Sequence, residues 1–146
     1  MNVAIGCDHR GFYLKQKVMA YLRELDHNYQ DYGCYNTDSV DYPDIARKVS
    51  EGVGSGNAKI GILICGTGVG MSIAANKIKG IRAALCYDAL TADRARKHND
   101  ANILCLKGED VETSVALDIV RTFLSTNFDG GRHLQRINKI TILETN

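Results

Sequence analysis

The sequence carries almost no excess of charge: 18 Lys and Arg stand against 17 Asp and Glu, a formal net charge of +1 over 146 residues. Without a broad field of one sign, the chain is not built for non-specific capture of nucleic acid or of an anionic membrane, so any recognition of anions must be local. It also lacks an apolar run approaching the roughly 18 residues of a membrane span. Its first residues, Met1-Asn2-Val3-Ala4-Ile5-Gly6-Cys7-Asp8, lack the charged stretch and long apolar segment of a secretory leader. The five cysteines (Cys7, Cys34, Cys65, Cys86 and Cys105) are odd in number, have no C-x-x-C spacing and mostly fall in apolar runs, where free cysteine acts as a small hydrophobe. A soluble, cytoplasmic protein in a reducing compartment is expected. No cluster of residues with metal-ligand spacing, no internal repeat and no low-complexity segment is present.

What is present fits one globular domain over residues 1–146, with 45% hydrophobic and 24% charged residues. Short β-branched runs recur at Val3 to Cys7, Tyr29 to Tyr32, Ile60 to Cys65, Arg82 to Cys86 and Ile103 to Leu106. Between them lie stretches of helical periodicity, such as Phe12, Leu14, Val18, Tyr21, Leu22 and Leu25 with lysine, arginine and glutamate on the other face. Further helices are predicted near residues 42–53, 71–78, 89–97 and 111–124, with a last one starting near Arg132. Strands alternating with helices imply right-handed βαβ units. The expected architecture is a three-layer α/β/α sandwich around a five-stranded parallel, Rossmann-like sheet. In such a sheet ligands bind beyond the carboxyl ends of the strands where the winding reverses, often beside strands one and three. Those two ends carry Cys7-Asp8-His9-Arg10-Gly11 and Cys65-Gly66-Thr67-Gly68-Val69-Gly70-Met71-Ser72.

The second segment puts three glycines between a strand and a helix, where backbone N–H groups can converge on a phosphate or an oxyanion. A dinucleotide fingerprint needs G-x-G-x-x-G, and here the last glycine comes one place early; a P-loop needs Gly-Lys-Ser/Thr, which is missing. A cysteine phosphatase would need an arginine where Met71 stands. An oxyanion hole with Cys65 as general base requires only a thiolate beside such donors, and nothing in the loop contradicts it. A free thiol has a pKa of about 8.5 that a helix start or a cation lowers. The plainer reading makes Cys65 a buried strand-end filler.

Other candidates also have two readings. Asp8 and His9 can bind hydroxyls or phosphate and move protons, or Asp8 can cap the helix that follows. His98 and Asn99 follow the fourth predicted helix, where a histidine can simply meet the helix carboxyl end. Arg132 and Arg136, four apart after Gly130-Gly131, can share a phosphate or form an ordinary solvated basic face.

Gly6-Cys7-Asp8-His9, Asp41-Tyr42-Pro43-Asp44, Ile64-Cys65-Gly66-Thr67-Gly68-Val69-Gly70, Ala74-Ala75-Asn76-Lys77, Gly80-Ile81-Arg82, His98-Asn99-Asp100 and Gly131-Arg132-His133 together resemble ribose-5-phosphate isomerase type B, nearly end to end. That family also includes galactose-6-phosphate isomerase subunits and allose-6-phosphate isomerase. The resemblance implies a cofactor-free, metal-independent aldose–ketose isomerase of the pentose phosphate network. It implies that Cys65 moves a proton between the first two sugar carbons through an enediol, with the loop of Gly66, Thr67, Gly68, Val69 and Gly70 stabilising the oxygen charge and Thr67 lining the site. It further implies that His98 opens the furanose ring with help from Asp8, that Asn99 binds substrate, and that Arg132, Arg136 and His9 hold the phosphate. The site would be assembled across a homodimer interface, with higher assembly left open. One departure stands out: Glu109 falls where many type B members have a phosphate-binding arginine, and Lys107 is the cation nearest in sequence to compensate. Isomerisation of a 6-phosphohexose, and sugar-phosphate binding without turnover, are the alternatives.

Overall fold

The alternation of apolar runs and amphipathic stretches resolves, in the computed structural model, into eleven elements over the described residues, 1–145. They are β1 (Asn2–Cys7), α1 (Phe12–Glu24), β2 (Asn28–Asp31), α2 (Tyr42–Gly54), β3 (Ile60–Cys65), α3 (Val69–Ala75), β4 (Ala83–Leu85), α4 (Ala89–Asn99), β5 (Ile103–Lys107), α5 (Thr113–Ser125) and α6 (Arg132–Leu143). The strands form one parallel sheet in the order β2-β1-β3-β5-β4. The three-layer α/β expectation is met. The chain winds outward from β1 to β2 and then crosses to β3 on the other side, so the winding reverses between β1 and β3.

The period of two along a strand divides the core. Ile60, Ile62 and Ile64 of β3 pack with Val3 and Ile5 of β1 against Leu14, Val18 and Leu22 of α1 and Ile119, Val120 and Phe123 of α5. Leu63 and Cys65 face the opposite layer, with Ile45, Val49 and Val53 of α2 and Met71 and Ala75 of α3. Helix α2 sits close to the sheet because β1 and β3 offer glycines to it. A Cβ at Gly6 would lie 2.6 Å from Ile45 Cγ2, and one at Gly61 would lie 3.0 Å from Val49 Cγ1.

Several boundaries differ from expectation for local reasons. Helix α3 starts two residues early, at Val69, because Gly68 takes a left-handed conformation (φ 79°) that turns the chain into it. It ends at Ala75 instead of residue 78, as the Asn76 side chain turns to bond Ala83 N and O at 2.8 and 2.9 Å. Helix α4 runs on through Asn99, so His98 and Asn99 belong to its last turn and do not follow it.

One lysine is sunk in this frame. Lys15 of α1 is completely buried, and its Nζ donates to Asp31 Oδ1 at 2.6 Å and to the Cys34 carbonyl at 2.5 Å. It ties the end of β2 and the following loop to α1. Removing one partner of such a pair leaves the other charge and a carbonyl uncompensated. Lys15→Ala is expected to lower the unfolding free energy by about 3 kcal/mol in urea titration; a loss below about 1 kcal/mol would show that the pair contributes little.

Candidate active site

Two sets of polar residues gather, one at each end of the sheet. At the carboxyl end, Cys65 closes β3 and is buried. The Gly68 N–H donates to its Sγ at 3.1 Å, a contact that the left-handed turn at Gly68 makes possible. A backbone donor aimed at the sulfur is what a thiolate base needs. The loop has no room for other residues at two of its glycines. A Cβ at Gly68 would lie 2.6 Å from Leu85 Cδ1 and 3.0 Å from the Leu106 carbonyl, and one at Gly70 would lie 2.6 Å from the Tyr42 ring. Thr67 is held from above, where its carbonyl accepts the Tyr87 hydroxyl at 2.9 Å, and its own Oγ1 accepts from Val69 N at 3.2 Å.

Across the winding reversal, Asp8 follows β1 and is buried, and its backbone N–H bonds the Ile64 carbonyl at 3.1 Å. Asp8 Oδ1 accepts from the N–H groups of Arg10 and Gly11 at 2.9 and 3.2 Å, so the carboxylate closes the turn ahead of α1. His9 Nδ1 accepts from Val40 N at 3.3 Å, which leaves Nε2–H as the free donor of the neutral ring. Asp8, His9, Cys65 and the Gly66–Gly70 loop are therefore neighbours around one mouth.

At the amino end lie the other candidates. The His98 ring stacks on His133, centroids 4.3 Å apart and planes at 12°. Asp129 N–H bonds the Lys97 carbonyl at 3.1 Å, and left-handed Gly130 and Gly131 (φ 68° and 56°) then turn the chain into α6. This brings Arg132 and Arg136 beside the histidine pair. The His133 imidazole is held below the usual histidine range, by desolvation first and then by the His98 ring and the two arginine cations. Asn99 has its carbonyl bonded by Arg82 Nε at 3.0 Å and lies beside a groove of about 840 Å³ that Arg82, Ile140 and Leu143 also line.

Within one chain these two sets do not meet. Gly61 pairs with Ile103 and Cys65 with Lys107, and Gly61 N–H bonds the Asn102 carbonyl just past α4. His98 thus lies by the start of the β3–β5 ladder and Cys65 at its end, about 13 Å of strand apart.

Among the described residues, His98, Asp129 and His133 are the one group whose donor atoms, within 4.8 Å of one another, could hold a metal ion. Sequence reading did not find it, because His98 lies 31 residues before Asp129 and is brought to Asp129 and His133 only by the fold. Tyr42, Tyr87 and Arg10 were also missed. Tyr42 lies in one of the motifs quoted above, and in the fold its ring packs 2.6 Å from where a Cβ of Gly70 would stand. No helix among the described residues is long and apolar enough to cross a membrane.

The family model described as Ribose/Galactose Isomerase matches residues 3–140. The chain is 44% identical over 143 residues to the ribose-5-phosphate isomerase B of Escherichia coli strain K12, a match covering 98% of this chain and 96% of that one. It is similar to the solved ribose-5-phosphate isomerase B of Clostridium thermocellum, with 48% identity and a TM-score of 0.98 over 99% of this chain and 98% of that one. The Mycoplasma genitalium ribose-5-phosphate isomerase B, solved with bound ribulose-5-phosphate, gives 44% identity and a TM-score of 0.94, covering 99% and 97%.

Burial pushes the Cys7 and Cys86 thiols up to about 12, and that of Cys105 up further still. At pH 7.5 these three thiols are held in the protonated, unreactive form. Iodoacetamide at that pH is therefore expected to modify Cys65 well before Cys7, Cys86 or Cys105, as read by peptide mass spectrometry, and Gly68→Ala is expected to slow the reaction.

Proposed function

The chain belongs to the ribose/galactose isomerase family, and from that premise we propose that it interconverts ribose 5-phosphate and ribulose 5-phosphate through an enediol. The observation that carries this reading is the Cys65 thiol seated under the Gly68 N–H, beside Asp8, at the point where the winding reverses. Two relatives named as ribose-5-phosphate isomerase B, one of them solved with ribulose-5-phosphate, support the choice of sugar.

In the forward direction the Cys65 thiolate takes the proton from C2 of the open-chain aldose. Charge passes to O1, where the N–H groups of the Gly66–Gly70 loop stabilise it. The proton of the C2 hydroxyl moves to O1, and the thiol returns its proton to C1, giving the ketose with no net change in protons. Ring opening comes first: His98 gives a proton to the ring oxygen while Asp8 receives the one on the anomeric hydroxyl. Thr67 lines the sugar's path, Asn99 binds its hydroxyls, and Arg132, Arg136 and His9 hold the phosphate.

Cys65 and His98 stand at opposite ends of the β3–β5 ladder, so this chemistry needs a second copy of the chain to bring its amino end to the first copy's carboxyl end. A homodimer with two shared sites meets that need. Val69 and Ile73, four apart on α3, are exposed apolar side chains suited to burial between copies. The five unpaired cysteines fit a reducing cytoplasm.

With chelator present, the purified protein is expected to turn over ribose 5-phosphate in preference to allose 6-phosphate and galactose 6-phosphate. Cys65→Ser is expected to lower kcat by about a thousandfold or more with its circular dichroism unchanged. A hexose preference would move the substrate, and near-normal turnover by Cys65→Ser would remove the thiol from the reaction.

A further inference from the structure

Three segments lock together at the carboxyl end of β3, and the corner they make holds a cation for which the mechanism has so far had no use. The Gly108 N–H bonds the Cys65 carbonyl at 2.7 Å, and the Glu109 N–H bonds the Gly66 carbonyl at 3.2 Å. The turn after β5 also presses on the turn after β1: a Cβ at Gly108 would lie 2.8 Å from the Arg10 carbonyl and 2.9 Å from Gly11 Cα. The Arg10 side chain consequently runs across Gly66, the first residue of the oxyanion loop. A Cβ there would lie 3.1 Å from Arg10 Cδ and 3.4 Å from Glu109 Oε2. The guanidinium ends against Glu109, with Nη1 at 3.3 and 3.5 Å from the two carboxylate oxygens.

This ion pair is long, and its side chains are 59% and 46% exposed. It engages Nη1 of the guanidinium and leaves the Nε and Nη2 donors for a ligand. Exposed pairs of this kind contribute little to stability, so releasing it on binding costs little. The charge around the mouth says what that ligand is. Asp8 and Glu109 both present carboxylates there, and a phosphoryl dianion approaching Cys65 would be repelled by them unless a cation intervened. Lys107 is engaged elsewhere, its Nζ lying 5.0 Å over the Tyr87 ring. Arg10 is directly next to His9 and lies on the loop itself.

Building on the isomerase reading above, we propose that Arg10 is a phosphate-binding residue of this enzyme, poised over Gly66 by Glu109 and turned to the sugar phosphate when it binds. Glu109 acts as a positioning residue that holds the fork at the mouth between turnovers.

The test combines calorimetric binding of inorganic phosphate with KM and kcat for ribose 5-phosphate. Arg10→Ala is expected to weaken phosphate binding and raise KM about tenfold while kcat stays within about twofold. Arg10→Glu is expected to do more, and adding Glu109→Arg to it, which returns a guanidinium to the same corner from the other side, is expected to recover most of the loss. Lys107→Ala should change neither quantity. Unchanged phosphate binding and KM in Arg10→Ala would overturn the assignment, as would a fall in kcat alone or a charge swap that recovers nothing. If the unmodified protein does not turn over ribose 5-phosphate yet Arg10→Ala still weakens phosphate binding, the isomerase reading falls and the anion site stands.

Discussion

A parallel sheet points every strand the same way, and the organisation of this molecule follows from that constraint. The carboxyl ends of β1 and β3 must emerge together, so Asp8 and Cys65 become neighbours although 57 residues separate them in sequence. The same rule sends each helix back to the amino end before the next strand begins. His98, in the last turn of α4, is thereby delivered to the opposite edge, and the hydrogen bond from Asp129 to Lys97 brings the start of α6 to it. Parallel pairing thus gathers one set of polar residues at each end of the sheet. On the proposed reading, two copies supply what one fold separates.

Close approach does the rest. Gly6 and Gly61 let α2 settle on the sheet, and this carries Tyr42, at the start of α2, onto Gly70. Packing of that ring, the left-handed turn at Gly68 and the Tyr87 hydroxyl on the Thr67 carbonyl together hold the loop against Cys65. A loop preset in this way can meet developing charge without reorganising, which is where the main contribution of an oxyanion hole lies. Burial sorts the cysteines: Cys7, Cys86 and Cys105 are kept as thiols by desolvation, while the sulfur of Cys65 has a donor aimed at it.

Much of this was legible in the residues. β-branched runs and helical periodicity located all five strands and six helices, since both signals are local and each element buries a regular face. The glycine loop after Cys65 stood out because three glycines in five residues have few uses besides close backbone approach. The resemblance then singled out His98, Arg132 and Arg136, whose local signals alone were ambiguous. What stayed hidden depends on contacts between segments distant in sequence. The extension of α4 through His98, the stacking of His98 on His133, and the meeting of Arg10 with Glu109 over Gly66 arise only once the strands are in register. Glu109 is the instructive position: as a residue in a string it marked a missing cation, whereas in the fold it sits against one contributed by another turn.

The central claim is that each reaction centre takes Cys65 from one copy and His98 from another. The most direct measurement mixes two inactive variants, Cys65→Ser and His98→Asn, under conditions where subunits exchange, and follows ribose 5-phosphate turnover. Shared sites predict that each mixed dimer regains one intact centre, so activity should climb to about a quarter of the unmodified level at equal mixing. Mixing that restores no activity, with exchange verified by mass spectrometry, would place both residues in a single-chain site and contradict the account.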